Sequence, residues 1–194
     1  MTKQVLFIQG AGQGAHEEDK ELADELQELL GPEYEVRCPE MPDEKNAPYE
    51  QWKRAIEQEL AKMKGPVILI GHSVGGSVLI KCMSEVKTDD RIVGLALLAT
   101  PFWGGDGWLY EGYEKLELAK GFAAKLPKSA RLFLYQSTDD EIVPFAHLAL
   151  YAQVLPGATV RELSKGGHQL NGVLPVVAKD IRTIAHEARN QRGS

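Results

Sequence analysis

Cysteine is scarce in this sequence of 194 residues: Cys38 and Cys82 are the two present. Neither belongs to a metal-ligand spacing, so a disulfide framework and a thiolate metal site are excluded and both read as buried thiols. No uninterrupted apolar run approaches the length that spans a bilayer, so no membrane partner is expected. No block of Lys and Arg offers a path for phosphates, which removes nucleic acid as a partner. The net charge of −6 is modest and mainly favours solubility. The opening residues, Met1 to Gly10, lack a charged leader and cleavage site and enter a strand at once, so a cytoplasmic protein is expected. Repeats and low-complexity segments are also missing.

What is present is an ordinary globular composition, 43% hydrophobic and 26% charged. The length suits one domain, expected over residues 1–188, with a polar tail at 189–194. Short β-rich runs alternate with helical patterns, the signature of an α/β fold with a parallel sheet covered on both faces. The runs are Val5–Ile8, Tyr34–Arg37, Val67–Ile70, Ile92–Leu98, Arg131–Tyr135 and Thr159–Arg161. The second and sixth are polar enough to be edges, whereas central strands buried on both faces should be almost wholly apolar. Between them apolar residues recur at three and four, as in Leu22, Leu26, Leu29 and Leu30, or Trp52, Ile56, Leu60 and Met63. One long connection, Thr100 to Ala130, carries the aromatic run Phe102 to Trp108 and then a helical pattern through Tyr113, Leu116, Ala119 and Phe122. Long loops at strand C-termini line ligand sites.

After the third run comes Gly71-His72-Ser73-Val74-Gly75-Gly76, followed directly by a helix. This is the G-x-S-x-G pattern in a strand–turn–helix setting. The turn is so sharp that the serine adopts a strained backbone and side chains at the flanking positions would collide with the neighbouring strand and helix. The turn drives the Ser73 hydroxyl into the crevice above the sheet, while the next helix offers positive potential and unpaired N–H groups. The bland reading is an ordinary glycine-rich turn.

A serine hydroxyl needs a base, and the base needs an orienting acid, each on a later strand end. Gln136 to Pro144 after the fifth run contains Asp140, and Ser164 to His168 after the sixth supplies the histidine. Taken singly, an aspartate beside Asp139 and Glu141 is more often a turn or cap, and a histidine after glycines a surface residue. Their order and placement after Ser73 favour a joint role: Ser73 nucleophile, His168 general base, Asp140 orienting acid. His16, His72, His147 and His186 read as structural or supporting.

The first run leads into Gln9-Gly10-Ala11-Gly12-Gln13-Gly14-Ala15. In the hydrolytic reading the N–H of Ala11, with Gly12 as the alternative, joins that of Val74 to stabilise a tetrahedral oxyanion. The same residues match G-x-G-x-x-A, a dinucleotide-binding fingerprint, through Gly10, Gly12 and Ala15. That rival requires an acid at the end of the second strand, where this chain has Arg37-Cys38-Pro39. A third reading keeps the fold and drops catalysis, leaving a binding protein with a retained pocket.

Along its whole length the chain resembles the α/β-hydrolase superfamily, and within it the small cap-less serine hydrolases of the retinoblastoma-binding protein nine type. The most specific segments are Gly71–Gly75, Asp140–Pro144 and Gly167–His168. The resemblance implies a three-layer sandwich with six parallel strands in the order 2-1-3-4-5-6 and no cap domain. It also implies Ser73, Asp140 and His168 as a triad, Ala11 and Val74 as oxyanion donors, no cofactor or metal, and cleavage of a carboxylic ester or related acyl bond in a small molecule. Many relatives have His-Gly where this chain has Gln9-Gly10. Without a cap the substrate pocket is expected to be shallow and formed by Phe102, Trp103, Trp108 and Tyr110, although these rings are equally suited to packing the loop on the body. Oligomeric state and acyl preference are not legible.

Overall fold

The computed structural model describes residues 2–87, 89–105, 108 and 113–190. Strands and helices alternate in the order β1 (Lys3–Ile8), α1 (Ala15–Leu30), β2 (Tyr34–Arg37), α2 (Tyr49–Lys62), β3 (Val67–His72), α3 (Ser73–Glu85), β4 (Ile92–Leu98), β5 (Arg131–Ser137), α4 (Ala146–Val154), β6 (Thr159–Leu163) and α5 (Leu174–Asn190). The six strands form one sheet in the order β2-β1-β3-β4-β5-β6, all pairs parallel, with the polar β2 and β6 at the edges as expected.

The pleat sorts each strand between two cores. Leu6 and Ile8 of β1 and Val67 and Leu69 of β3 meet Trp52, Ile56 and Leu60 of α2 and Val78, Leu79 and Cys82 of α3. On the opposite face Val5, Phe7, Ile68 and Ile70 meet Leu22 and Leu26 of α1 and Val177 and Ile181 of α5. Parallel register aligns Val5 with Ile68 and Phe7 with Ile70, so neighbouring strands present like residues to the same helices. All the strand C-termini therefore open on one rim, and the loops that leave it build the site.

Among the described residues no separate cap domain stands between β4 and β5. The helical pattern read through Tyr113 to Phe122 does not make an α-helix: the segment holds two short 3₁₀ turns, Glu114–Leu116 and Phe122–Lys125. Leu116, Phe122 and Leu126 are buried in the core beside α3, but Gly121 takes a left-handed conformation at φ 77° that interrupts the helix between them. The apolar spacing thus reflects burial along an irregular strap. α5 continues through Asn190, and residues 191–194 of the expected tail lie outside the described residues. Among the described residues no helix is long and apolar enough to cross a membrane.

Candidate active site

Ser73 opens α3 directly from β3 and holds φ at +50°, a conformation that costs a non-glycine residue about 1–3 kcal/mol. The glycines around it are dictated by contact. A Cβ on Gly75 would lie 2.0 Å from the Gln9 carbonyl oxygen, and one on Gly76 would lie 2.1 Å from Thr100 Oγ1. The start of α3 is pressed between the ends of β1 and β4, which lets the turn reverse so tightly.

The ends of β5 and β6 bring Asp140 and His168 together. Asp140 Oδ2 and Oδ1 stand 3.0 and 3.1 Å from His168 Nδ1. Oδ2 also accepts from Gln136 Nε2 at 2.6 Å, and Oδ1 from the backbone N–H groups of Ile142 and Val143, both at 2.9 Å. Burial pushes the Asp140 carboxyl up, but the bonds from His168, Val143 and Ile142 outweigh it and hold the group below the ordinary range. With Nδ1 facing a carboxylate, the Nε2 side is the one left for a substrate-facing role. Asp139, the neighbouring acid, does something else: it accepts from Ser137 Oγ and from Gly167 N–H, tying the two loops to each other. Ser73 and His168 are both 9% exposed at the rim. Among the described hydrogen bonds none joins Ser73 Oγ to the ring, a contact that commonly tightens only when substrate binds.

The loop after β1 is anchored on either side of Ala11. Gly10 N–H donates to Asp19 Oδ2 at 2.6 Å, and Gly12 N–H to the Glu44 carbonyl at 2.9 Å. Gly12, the alternative oxyanion donor, is therefore already engaged, whereas the N–H of Ala11 has no partner among the described hydrogen bonds. Val74, at the start of α3, carries one of the N–H groups a helix leaves unpaired. Gly10 itself packs against the elbow, its place for a Cβ only 3.2 Å from Ser73 Cβ.

The same loop bears on the dinucleotide reading. In that reading the pyrophosphate sits at the N-terminus of α1. Here Glu44, from the loop after β2, takes the place: its Oε1 accepts from Gly14 N–H at 2.6 Å and its Oε2 from His16 N–H at 2.9 Å. Those bonds hold the Glu44 carboxyl below its usual range. Gln9 is fully buried and fastens the loops further, accepting from Met41 N–H and donating to Glu44.

The aromatic loop is packed on the body. Trp103 is buried and stacks on Tyr113 at 4.9 Å, Trp108 meets His147 of α4 edge-on at 5.0 Å, and Phe102 meets Tyr151 at 4.9 Å. Phe102 N–H donates to His147 Nδ1, which accounts for that histidine. Phe102 and Trp108 keep part of their surface open; Tyr110 lies outside the described residues. Both thiols are pushed up to about 12 by burial, which removes them as nucleophiles.

Sequence reasoning missed one member of the rim, Asp19. It is buried under the elbow, where its Oδ2 lies 2.8 Å from His72 Nδ1. It lies in a charged run, Glu17 to Glu21, that resembles a solvated helix face. The available signal was its spacing: Asp19 falls three and four residues before Leu22 and Ala23 on the buried face of α1.

Residues 23–172 match the family model described as serine hydrolase. No curated protein matches the chain. Among solved structures, the ydeN gene product of B. subtilis superposes with a TM-score of 0.70 at 21% identity, over 95% of this chain and 100% of that one. Est1E from Butyrivibrio proteoclasticus gives a TM-score of 0.70 at 16% identity over 100% of this chain and 89% of that one. A pyrethroid hydrolase from Sphingobium faniae JZ-2 gives 0.64 at 17%, over 96% and 98%. At these identities the likeness is one of fold, the α/β-hydrolase fold, with no cap domain among the described residues.

Proposed function

The chain belongs to the serine hydrolase family, and from that premise we propose that it cleaves a carboxylic ester or related acyl bond of a small molecule through an acyl-enzyme. The observation that carries this reading is the strained Ser73 turn sharing one rim with a histidine whose Nδ1 is held by a buried, multiply bonded carboxylate. Ser73 Oγ attacks the acyl carbon as His168 Nε2 removes its proton. Asp140 fixes the tautomer and stabilises the imidazolium that forms. The N–H groups of Ala11 and Val74 receive the oxyanion, at the positive end of α3. The tetrahedral intermediate collapses, the leaving group departs with the proton from His168, and water repeats the cycle on the acyl-Ser73 ester to release the acid. Partly open Phe102 and Trp108 supply an apolar wall for the acyl group.

A fluorophosphonate probe reacts quickly only with an activated serine. The folded protein is expected to take up one label on the peptide containing Ser73, and Ser73→Ala is expected to take up none and to lose turnover on a panel of short and long acyl esters. An unlabelled but folded wild type would favour a binding protein with a retained pocket.

A further inference from the structure

The proposed chemistry leaves one buried pair without a task. His72 sits on the last residue of β3, next to the nucleophile, and Asp19 on the first turns of α1; their side chains are 2% and 1% exposed. Asp19 Oδ2 stands 2.8 Å from His72 Nδ1 and at the same time accepts the Gly10 N–H at 2.6 Å. The other ring nitrogen, Nε2, lies 3.0 Å from the backbone carbonyl of His168. A carbonyl oxygen can only accept, so Nε2 carries a proton. Asp19 Oδ2 accepts from Gly10; as a carboxylate it accepts from Nδ1 as well, and both ring nitrogens then carry a proton.

We propose that His72 is an imidazolium at neutral pH, and that with Asp19 it forms the positioning element that holds the His168 loop and the Gly10–Gly12 loop on the elbow. One alternative keeps both bonds: the proton sits on Asp19 Oδ2, and acid and ring are both neutral. An imidazole binds a proton more tightly than a carboxylate does, by about two and a half pH units in water, so the ring is the better place for it. Burial alone would push the ring down and the acid up, but the attraction within the pair outweighs this on both sides, raising His72 and lowering Asp19. The groups that face His72 are Asp19 from α1, the carbonyl and ring of His168 after β6, and Asp140 after β5. The Cys38 thiol, near Asp19, stays protonated.

The arrangement has two effects. Mechanically, one carboxylate and one ring join three segments: Gly10 through its N–H, the elbow through its own histidine, and the proposed base through its backbone. Electrostatically, the His72 ring lies 4.8 Å from that of His168, centroid to centroid, which sets its charge beside the proposed base. Only the kinetic consequence rests on the hydrolase reading; the charge state of His72 does not.

The direct test is a long-range ¹H–¹⁵N spectrum of the ¹⁵N-labelled wild-type protein, with the histidine rings assigned through the backbone. Both nitrogens of His72 are expected to be protonated at pH 7 and mildly above it; one protonated and one bare nitrogen would overturn the charge assignment. In His72→Gln, kcat/KM is expected to fall by up to about a hundredfold, the scale of a 1 Å misplacement, with the loss in kcat rather than KM. A folded variant with unchanged kcat would overturn the positioning role. If His72 proves doubly protonated while wild-type Ser73 resists fluorophosphonate, the hydrolase reading fails and the charge assignment stands.

Discussion

Two histidine–aspartate pairs share one rim of the sheet, and they differ chiefly in where the second ring nitrogen goes. In Asp140–His168 the carboxylate takes Nδ1, and Nε2 has no partner among the described hydrogen bonds. In Asp19–His72 both nitrogens end on protein acceptors. In the proposed mechanism the first pair receives a proton and gives it back; the second is closed and only holds. The difference teaches that a histidine beside a carboxylate is not a base by virtue of that partner. The role is decided by whether one nitrogen remains unclaimed, and a chain that needs a mobile proton in one place can use an immobile one beside it as a fastening.

That contrast can be broken most severely through the open pair. His168→Ala is expected to lower kcat by about 10⁴- to 10⁶-fold, and Asp140→Asn by about 10⁴-fold. An Asp140→Asn protein with near-normal ester turnover would erase the distinction between the pairs. The closed pair should respond in the other currency, stability. Asp19→Ala leaves a buried ring without its counter-charge and Gly10 without its acceptor, and is expected to cost about 3–5 kcal/mol in urea unfolding. A loss below about 1 kcal/mol would mean that the pair holds nothing.

The finest distinction is in pH. The Asp140 carboxyl is lowered from 3.8, so its contribution to stability is present above that value and is lost as pH falls through the folded value. The His72 ring is raised from 6.5, so its contribution is complete below that value and fades as pH rises through the folded value. Urea unfolding across pH, wild type against Asp140→Asn and against His72→Gln, is therefore expected to show differences that close at opposite ends of the scale. Differences closing at the same end would contradict the charge states given to the pairs.

The sheet was legible because short apolar runs such as Val5–Ile8 alternate along the chain with helical patterns, the order of a parallel sheet covered on both faces. The convergence of Ser73, Asp140 and His168 on one rim was legible for a related reason, since each follows a strand and parallel strands end together. What escaped notice depends on tertiary partners. Asp19 looked solvated because its neighbours in sequence are, and its true neighbours, Gly10 and His72, come from two other elements. The strap from Tyr113 to Phe122 looked helical because burial against α3 imposes a spacing that Gly121 prevents the backbone from following. His72, adjacent to the nucleophile, read as support, but nothing in its own segment specified two acceptors.

The reach of Glu44 across to the start of α1 has a consequence for anyone who would redesign this scaffold. Residues 39–48 look like a disposable surface excursion, inviting shortening, grafting or the placing of new chain ends. Yet this excursion latches Gly12 through its own carbonyl and Gly14 and His16 through its carboxylate. A library that diversifies the excursion to reach new substrates would therefore loosen the opposite wall of the crevice unless position 44 is kept as it is.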